Sequence, residues 1–122
     1  MNLAISAIAW EPSEDDAAAS ILREHGFAGV ELAPTKIFPR PDSATDAEVA
    51  ACRAAWSGRG LRIVAMQALL FGRPELTVFG EARKQTLEYL CGVARLGGRL
   101  GAGALVFGSP RNRARNSLSR SR

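Results

Sequence analysis

Three glycines set the frame of this chain. Gly26, Gly60 and Gly101 each close a helix-like stretch a few residues before an apolar run, at separations of 34 and 41 positions. A repeat of helix, glycine and short apolar run is the signature of successive strand-helix units, and parallel strands need such crossovers because a tight turn cannot join them. The repeat predicts four parallel strands at 3–9, 29–32, 61–66 and 104–107, joined by three helices.

Local signals sharpen the helices. Ser13 stands where an N-cap belongs, Glu14, Asp15 and Asp16 suit the positive end of a helix dipole, and Ala18, Ile21, Leu22 and His25 fall on one face. Thr45 and Glu48 have capping-box spacing, and Val49, Cys52 and Trp56 form the stripe of the helix they open. Pro34, Pro39 and Pro41 predict an irregular loop before it. The stretch 71–80, with Gly72, Pro74 and Gly80, predicts a long loop over the strand ends, and a third helix from about Glu81 places Leu87, Leu90, Cys91 and Ala94 on one face.

Charge and cysteine content narrow the function classes. Of 122 residues, 47% are hydrophobic and 23% charged, as in an ordinary globular domain. The net charge of +4 comes from the C-terminus: residues 1–110 carry 11 basic and 12 acidic side chains, whereas 111–122 hold five arginines and no acid. A uniformly basic nucleic-acid surface is thereby excluded for the body. The Arg- and Ser-rich segment 111–122 reads as a disordered tail. Cys52 and Cys91 lie in helical patterns without Cys-x-x-Cys spacing and read as reduced core thiols, which implies a cytoplasmic location. No apolar run reaches the length of a membrane span, and the N-terminus lacks the pattern of a secretory signal.

Four segments in order carry a resemblance. Leu3-Ala4-Ile5-Ser6 leads to Ala9-Trp10; Val30-Glu31-Leu32-Ala33-Pro34-Thr35-Lys36 follows; then come 64–72, Val-Ala-Met-Gln-Ala-Leu-Leu-Phe-Gly, and 105–110, Leu-Val-Phe-Gly-Ser-Pro. Together they resemble the xylose-isomerase-like family of sugar phosphate isomerases and epimerases, and the match runs along the chain to about Ser119. The resemblance implies an α/β fold, a (β/α)8 TIM barrel of about 250 residues, of which this chain would be the N-terminal half with four strands and three helices. It also implies aldose-ketose isomerisation or epimerisation through an enediolate, with a divalent Mn or Mg held by two glutamates, an aspartate and a histidine on later strands. Those positions have no counterpart here, so this chain is expected to bind no metal and to be inactive alone. His25, the single histidine, reads as a residue at a helix C-terminus in favourable interaction with the helix dipole rather than as a catalyst.

In such a barrel the strand C-termini face the substrate, so the resemblance nominates Trp10, Glu11, Glu31, Lys36, Gln67, Ser109 and Arg111 for a sugar or sugar phosphate. Trp10 could stack on a sugar ring or pack at the rim. Glu31, an acid inside an apolar strand, meets either a substrate hydroxyl or an ion-pair partner. Gln67 could bind a hydroxyl or tie down its loop. Lys36 and Arg111 could attract a phosphate or carboxylate or simply be solvated.

Two other classes compete. The arginines of 111–122 could bind a phosphate backbone, but no aromatic residue stands among them for base stacking. A small flavodoxin-like doubly wound domain would also use four parallel strands, yet no anion-binding glycine loop follows a strand here. Gly101 and Gly103 precede a strand, the reverse of a dinucleotide fingerprint. Four units leave the first and last strands unpaired and a concave face, with Ile5, Val30, Ile63 and Val106 as its candidates, open to water; self-association through those edges is expected.

Overall fold

The computed structural model describes residues 1–115. Four parallel strands, β1 (Leu3–Ser6), β2 (Phe27–Leu32), β3 (Arg62–Met66) and β4 (Ala104–Leu105), form one sheet in the order β1-β2-β3-β4. Helices α1 (Asp15–Glu24), α3 (Asp46–Gly58) and α4 (Arg83–Leu100) make the crossovers, and a short α2 (Pro34–Ile37) lies in the proline-rich connection expected to be irregular. The order never reverses, so there is no switch point of the doubly wound kind. Crossovers of one hand in sequential order put every helix on the same face.

That face holds the core. Ala19 and Leu22 of α1, Val49, Cys52 and Trp56 of α3, and Tyr89, Val93, Leu96 and Leu100 of α4 form one apolar cluster with Val30, Leu32, Ile63 and Met66 of the sheet. Val30 and Ile63, expected on the open face, therefore face the helices, and Ile5 shares their side through its pairing with Val30. A strand apolar on both faces does not reveal which parity turns inward. The opposite face carries Ala4 and Gly29, and a Cβ on Gly29 would sit 2.7 Å from the Val64 side chain and 3.3 Å from Ala4 Cβ.

The helix ends show how the sequence works locally. The capping box of α3 forms as expected, Glu48 N–H donating to Thr45 Oγ1 at 3.2 Å and Thr45 N–H to Glu48 Oε2 at 2.8 Å. Ser13 does not cap α1. A 3-10 turn, Pro12–Glu14, precedes that helix, and Glu11 N–H donates to Glu14 Oε2 at 2.9 Å. His25 lies exposed just past α1, with Nδ1 at 2.9 Å from the Ile21 carbonyl. Gly26, Gly60 and Gly101 all adopt the left-handed conformation that ends a helix without Cβ strain.

Two expected faces are wrong by about one residue. On α1 the buried pair is Ala19 and Leu22, while Ile21 is 58% exposed. On α4 the inner face is Thr86, Tyr89, Gly92, Val93, Leu96, Gly97 and Leu100; Leu87, Cys91 and Ala94 are exposed. Glycines and a threonine give no hydrophobic signal, yet they are what α4 needs, since it packs backbone against backbone on the turn Pro41–Ser43: a Cβ on Gly92 would lie 2.6 Å from the Asp42 carbonyl oxygen. Cys91 is accordingly no core thiol. Cys52 is buried, and burial pushes its thiol up to about 11, partly opposed by Arg59.

Strands β1 and β4 are shorter than expected, with a 3-10 turn at Ala7–Ala9 and irregular chain after Leu105, although Val106 N–H still donates to the Met66 carbonyl at 2.8 Å. Both lie at sheet edges and carry exposed apolar side chains, Leu3, Ile5 and Leu105 among them. Of the segment expected to be disordered, Arg111–Arg113 belong to a 3-10 turn, Pro110–Arg113; residues 116–122 lie outside the described residues.

The contrast between two glycines of α4 tests this packing. Gly92→Ala is expected to destabilise the fold by about 1–3 kcal/mol, because the methyl group meets backbone that cannot rotate away. Gly98→Ala, with nothing within 4 Å, is expected to be neutral or stabilising by up to about 1 kcal/mol through helix propensity. Urea denaturation of both variants measures the two signs.

Candidate functional site

Polar residues gather where the strands end on the helix-free face. Ser6 of β1 pairs in register with Glu31 of β2. Gln67, the first residue after β3, extends the ladder by donating its N–H to the Leu32 carbonyl at 2.9 Å, and its side-chain Nε2 donates to Ser6 Oγ across β2. Ser6, Glu31 and Gln67 thus span three adjacent strands, each half-buried. Among the described residues no hydrogen bond or ion pair engages the Glu31 carboxylate. It stands between two neutral hydrogen-bonding groups, an acceptor for a ligand's hydroxyl.

Immediately beyond Gln67 the chain enters a groove of about 650 Å3, walled by the loop after β3 (Ala68 and Leu70–Pro74) and the segment after β4 (Ser109–Asn112). Asn112 fixes its width. Its buried side chain donates from Nδ2 to the Arg73 carbonyl at 2.9 Å and the Leu76 carbonyl at 2.6 Å, while its own carbonyl accepts from Val78 N–H at 3.0 Å. Ala68 (φ 51°) and Ser109 (φ 37°) are the two non-glycine residues with left-handed backbone among those described, and both line this groove. Such conformations cost about 1–3 kcal/mol each and concentrate at functional sites.

A second hollow of about 230 Å3 lies beside α2, lined by Thr35, Lys36 and Phe38 and sharing Phe71–Arg73 with the groove. Arg73 stands at the junction. Its guanidinium lies 4.7 Å from the Tyr89 ring centre, and its Nε donates to Glu75 at 2.6 Å, a hydrogen bond that holds the Glu75 carboxyl below the usual carboxylate range. Burial pushes the Tyr89 phenol up, against the opposing pull of Arg73.

Of the seven residues nominated from sequence, Glu31 and Gln67 lie near one another on the same sheet face without a hydrogen bond between them, and Lys36, Ser109 and Arg111 line the two hollows. Trp10 and Glu11 are instead engaged at the start of α1: Trp10 Nε1 donates to Asp15 Oδ1 at 2.8 Å and its ring packs on the core. Ser6, Arg73 and Asn112 were not anticipated. Ser6 is the only polar residue of 3–9, a signal that was available; Asn112 sits among arginines and offered none.

No protein-family model matches this chain, and no curated protein is significantly similar to it. The site's own chemistry therefore carries the functional argument. A Mn or Mg ion needs several oxygen ligands converging on one point; Glu31 is the single carboxylate of the face cluster, and no group of three or more acidic, histidine or cysteine side chains able to hold a metal occurs among the described residues. These residues do not fit that ion. No helix among them is long and apolar enough to cross a membrane.

Asn112→Ala removes two hydrogen bonds and strands two carbonyls at the groove wall. The expected cost is about 1–3 kcal/mol, read by thermal denaturation, together with faster proteolysis within 67–80.

Proposed function

We propose that the chain forms a sugar- or sugar phosphate-binding face of an isomerase- or epimerase-like (β/α)8 barrel, its four strands being consecutive barrel strands. Sequential parallel order with helices on one side is the arrangement a barrel requires, and barrel enzymes bind substrate at strand C-termini. The observation that carries the reading is the Ser6–Gln67 hydrogen bond, with Glu31 in register beside Ser6 on the strand between, at that end and on the helix-free face.

A sugar presents adjacent hydroxyls that both donate and accept. Glu31 accepts from one, Gln67 both donates and accepts, and Ser6 positions the Gln67 amide. Isomerisation and epimerisation move a proton at a carbon next to a carbonyl, and fixing the neighbouring hydroxyls holds that carbon in one orientation. This cluster contributes binding and orientation; the proton-moving base belongs elsewhere in the reaction site.

Titration of pentoses and pentose phosphates, followed by ligand-observed NMR, tests the reading. Binding at millimolar concentration is expected, weakened about tenfold by Glu31→Gln, the scale of one hydrogen bond to a charged group. Absence of sugar binding, or an affinity unchanged in Glu31→Gln, would overturn it.

A further inference from the structure

The two edges of the sheet carry none of the charges that keep a strand edge from pairing with another. Residues 1–9, which include β1, and 101–110, which include β4, hold no charged side chain, whereas the inner strands carry Glu31 and Arg62. A monomeric sheet places its charges the other way, on the edge strands, where they repel a second edge. Leu3 and Ile5 on one edge and Leu105 and Val106 on the other are between 36% and 50% exposed. β2, an inner strand, is buried or half-buried along its whole length.

The exposed area leads to the same place. The chain exposes 7891 Å2, where a folded monomer of 13.0 kDa exposes about 6,300 Å2. Even when residues 116–122 are allowed the full area of an extended chain, an excess of roughly 600 Å2 per chain remains. A pair of chains that removed this excess from water would bury about 1,200 Å2 in total, the area at which stable, specific interfaces begin.

We propose that both edges are closed by a second copy of this chain, β4 of each copy pairing in parallel with β1 of the other. A twofold axis along the barrel axis keeps every strand running the same way and makes two identical β4–β1 junctions, so that no edge is left open. Four sequential strands from each copy supply the eight at which a parallel barrel closes. Pairing of like edges, β1 with β1, would leave both β4 edges in water. The proposal rests on the reading of β1–β4 as consecutive barrel strands and is independent of the ligand. It also completes the site: the ring sets the Ser6–Glu31–Gln67 cluster of both copies around one mouth, with the segment after β4 of one copy beside β1 of the other.

Sedimentation velocity of the full chain at micromolar concentrations, with isotope-filtered NMR of a mixture of 13C-labelled and unlabelled chains, tests this. A single species of twice 13.0 kDa is expected, with contacts between copies that join Leu3–Ser6 to 104–107. Leu3→Lys and Val106→Lys each place an unpaired charge in a junction, and each is expected to weaken association about tenfold while the helical circular dichroism is kept. A monomer at those concentrations, contacts between copies confined to other surfaces, or association unchanged in both folded variants would overturn the proposal. So would a series of ever larger species, because open-ended addition of edges means that the sheet does not close at eight strands. If a variant unfolds, the contacts between copies of the unaltered chain decide. A closed pair that binds no sugar would uphold the partner and reject the sugar-binding reading, whereas a monomer whose sugar binding weakens in Glu31→Gln would do the reverse.

Discussion

Everything in this chain follows from the crossover between parallel strands. Neighbours that run the same way are separated by the length of the sheet, and the connection returns as a helix with one preferred hand. Repeated from β1 to β4, that rule collects the helices and the apolar cluster on one face. The other face is released from packing the helices, and there the chain places a serine, a glutamate and a glutamine in adjoining strands. Separation of core from site is thus a consequence of chain direction and handedness.

At the strand ends, a few close contacts do the positioning. Gly92 lets α4 touch the turn at Pro41–Ser43, which brings the α2 connection against Tyr89 and Arg73. Asn112 joins the segment after β4 to the loop after β3 through three hydrogen bonds. Left-handed Ala68 and Ser109 lie where these connections leave the sheet. The backbone strain is sustained because each loop is held at a second point.

The sequence showed the elements better than their orientation. Glycine spacing identified the strand-helix units, and the Thr45–Glu48 box with Val49, Cys52 and Trp56 located α3 and its buried face, because these signals are local and chemically distinctive. The inner face of α4 was hidden: Gly92, Gly97 and Thr86 are selected by close approach, a tertiary demand with no hydrophobic mark. Strand parity was hidden for a similar reason, both faces of β3 being apolar. Glu31 and Gln67 were legible as polar residues at the ends of apolar strands, but their placement beside Ser6 depends on register, and the Asn112 clamp on a meeting of loops 34 or more residues apart.

The central claim is that the helix-free face and the cleft at its C-terminal end form the ligand-facing side. Mapping amide chemical shifts of the 15N-labelled chain during titration with ribose 5-phosphate tests it most directly. The account predicts that the largest changes fall at Ser6, Glu31, Gln67, Phe71–Arg73 and Arg111. Changes confined to the outer surfaces of α1 and α3, or to the opposite ends of the strands, would contradict it.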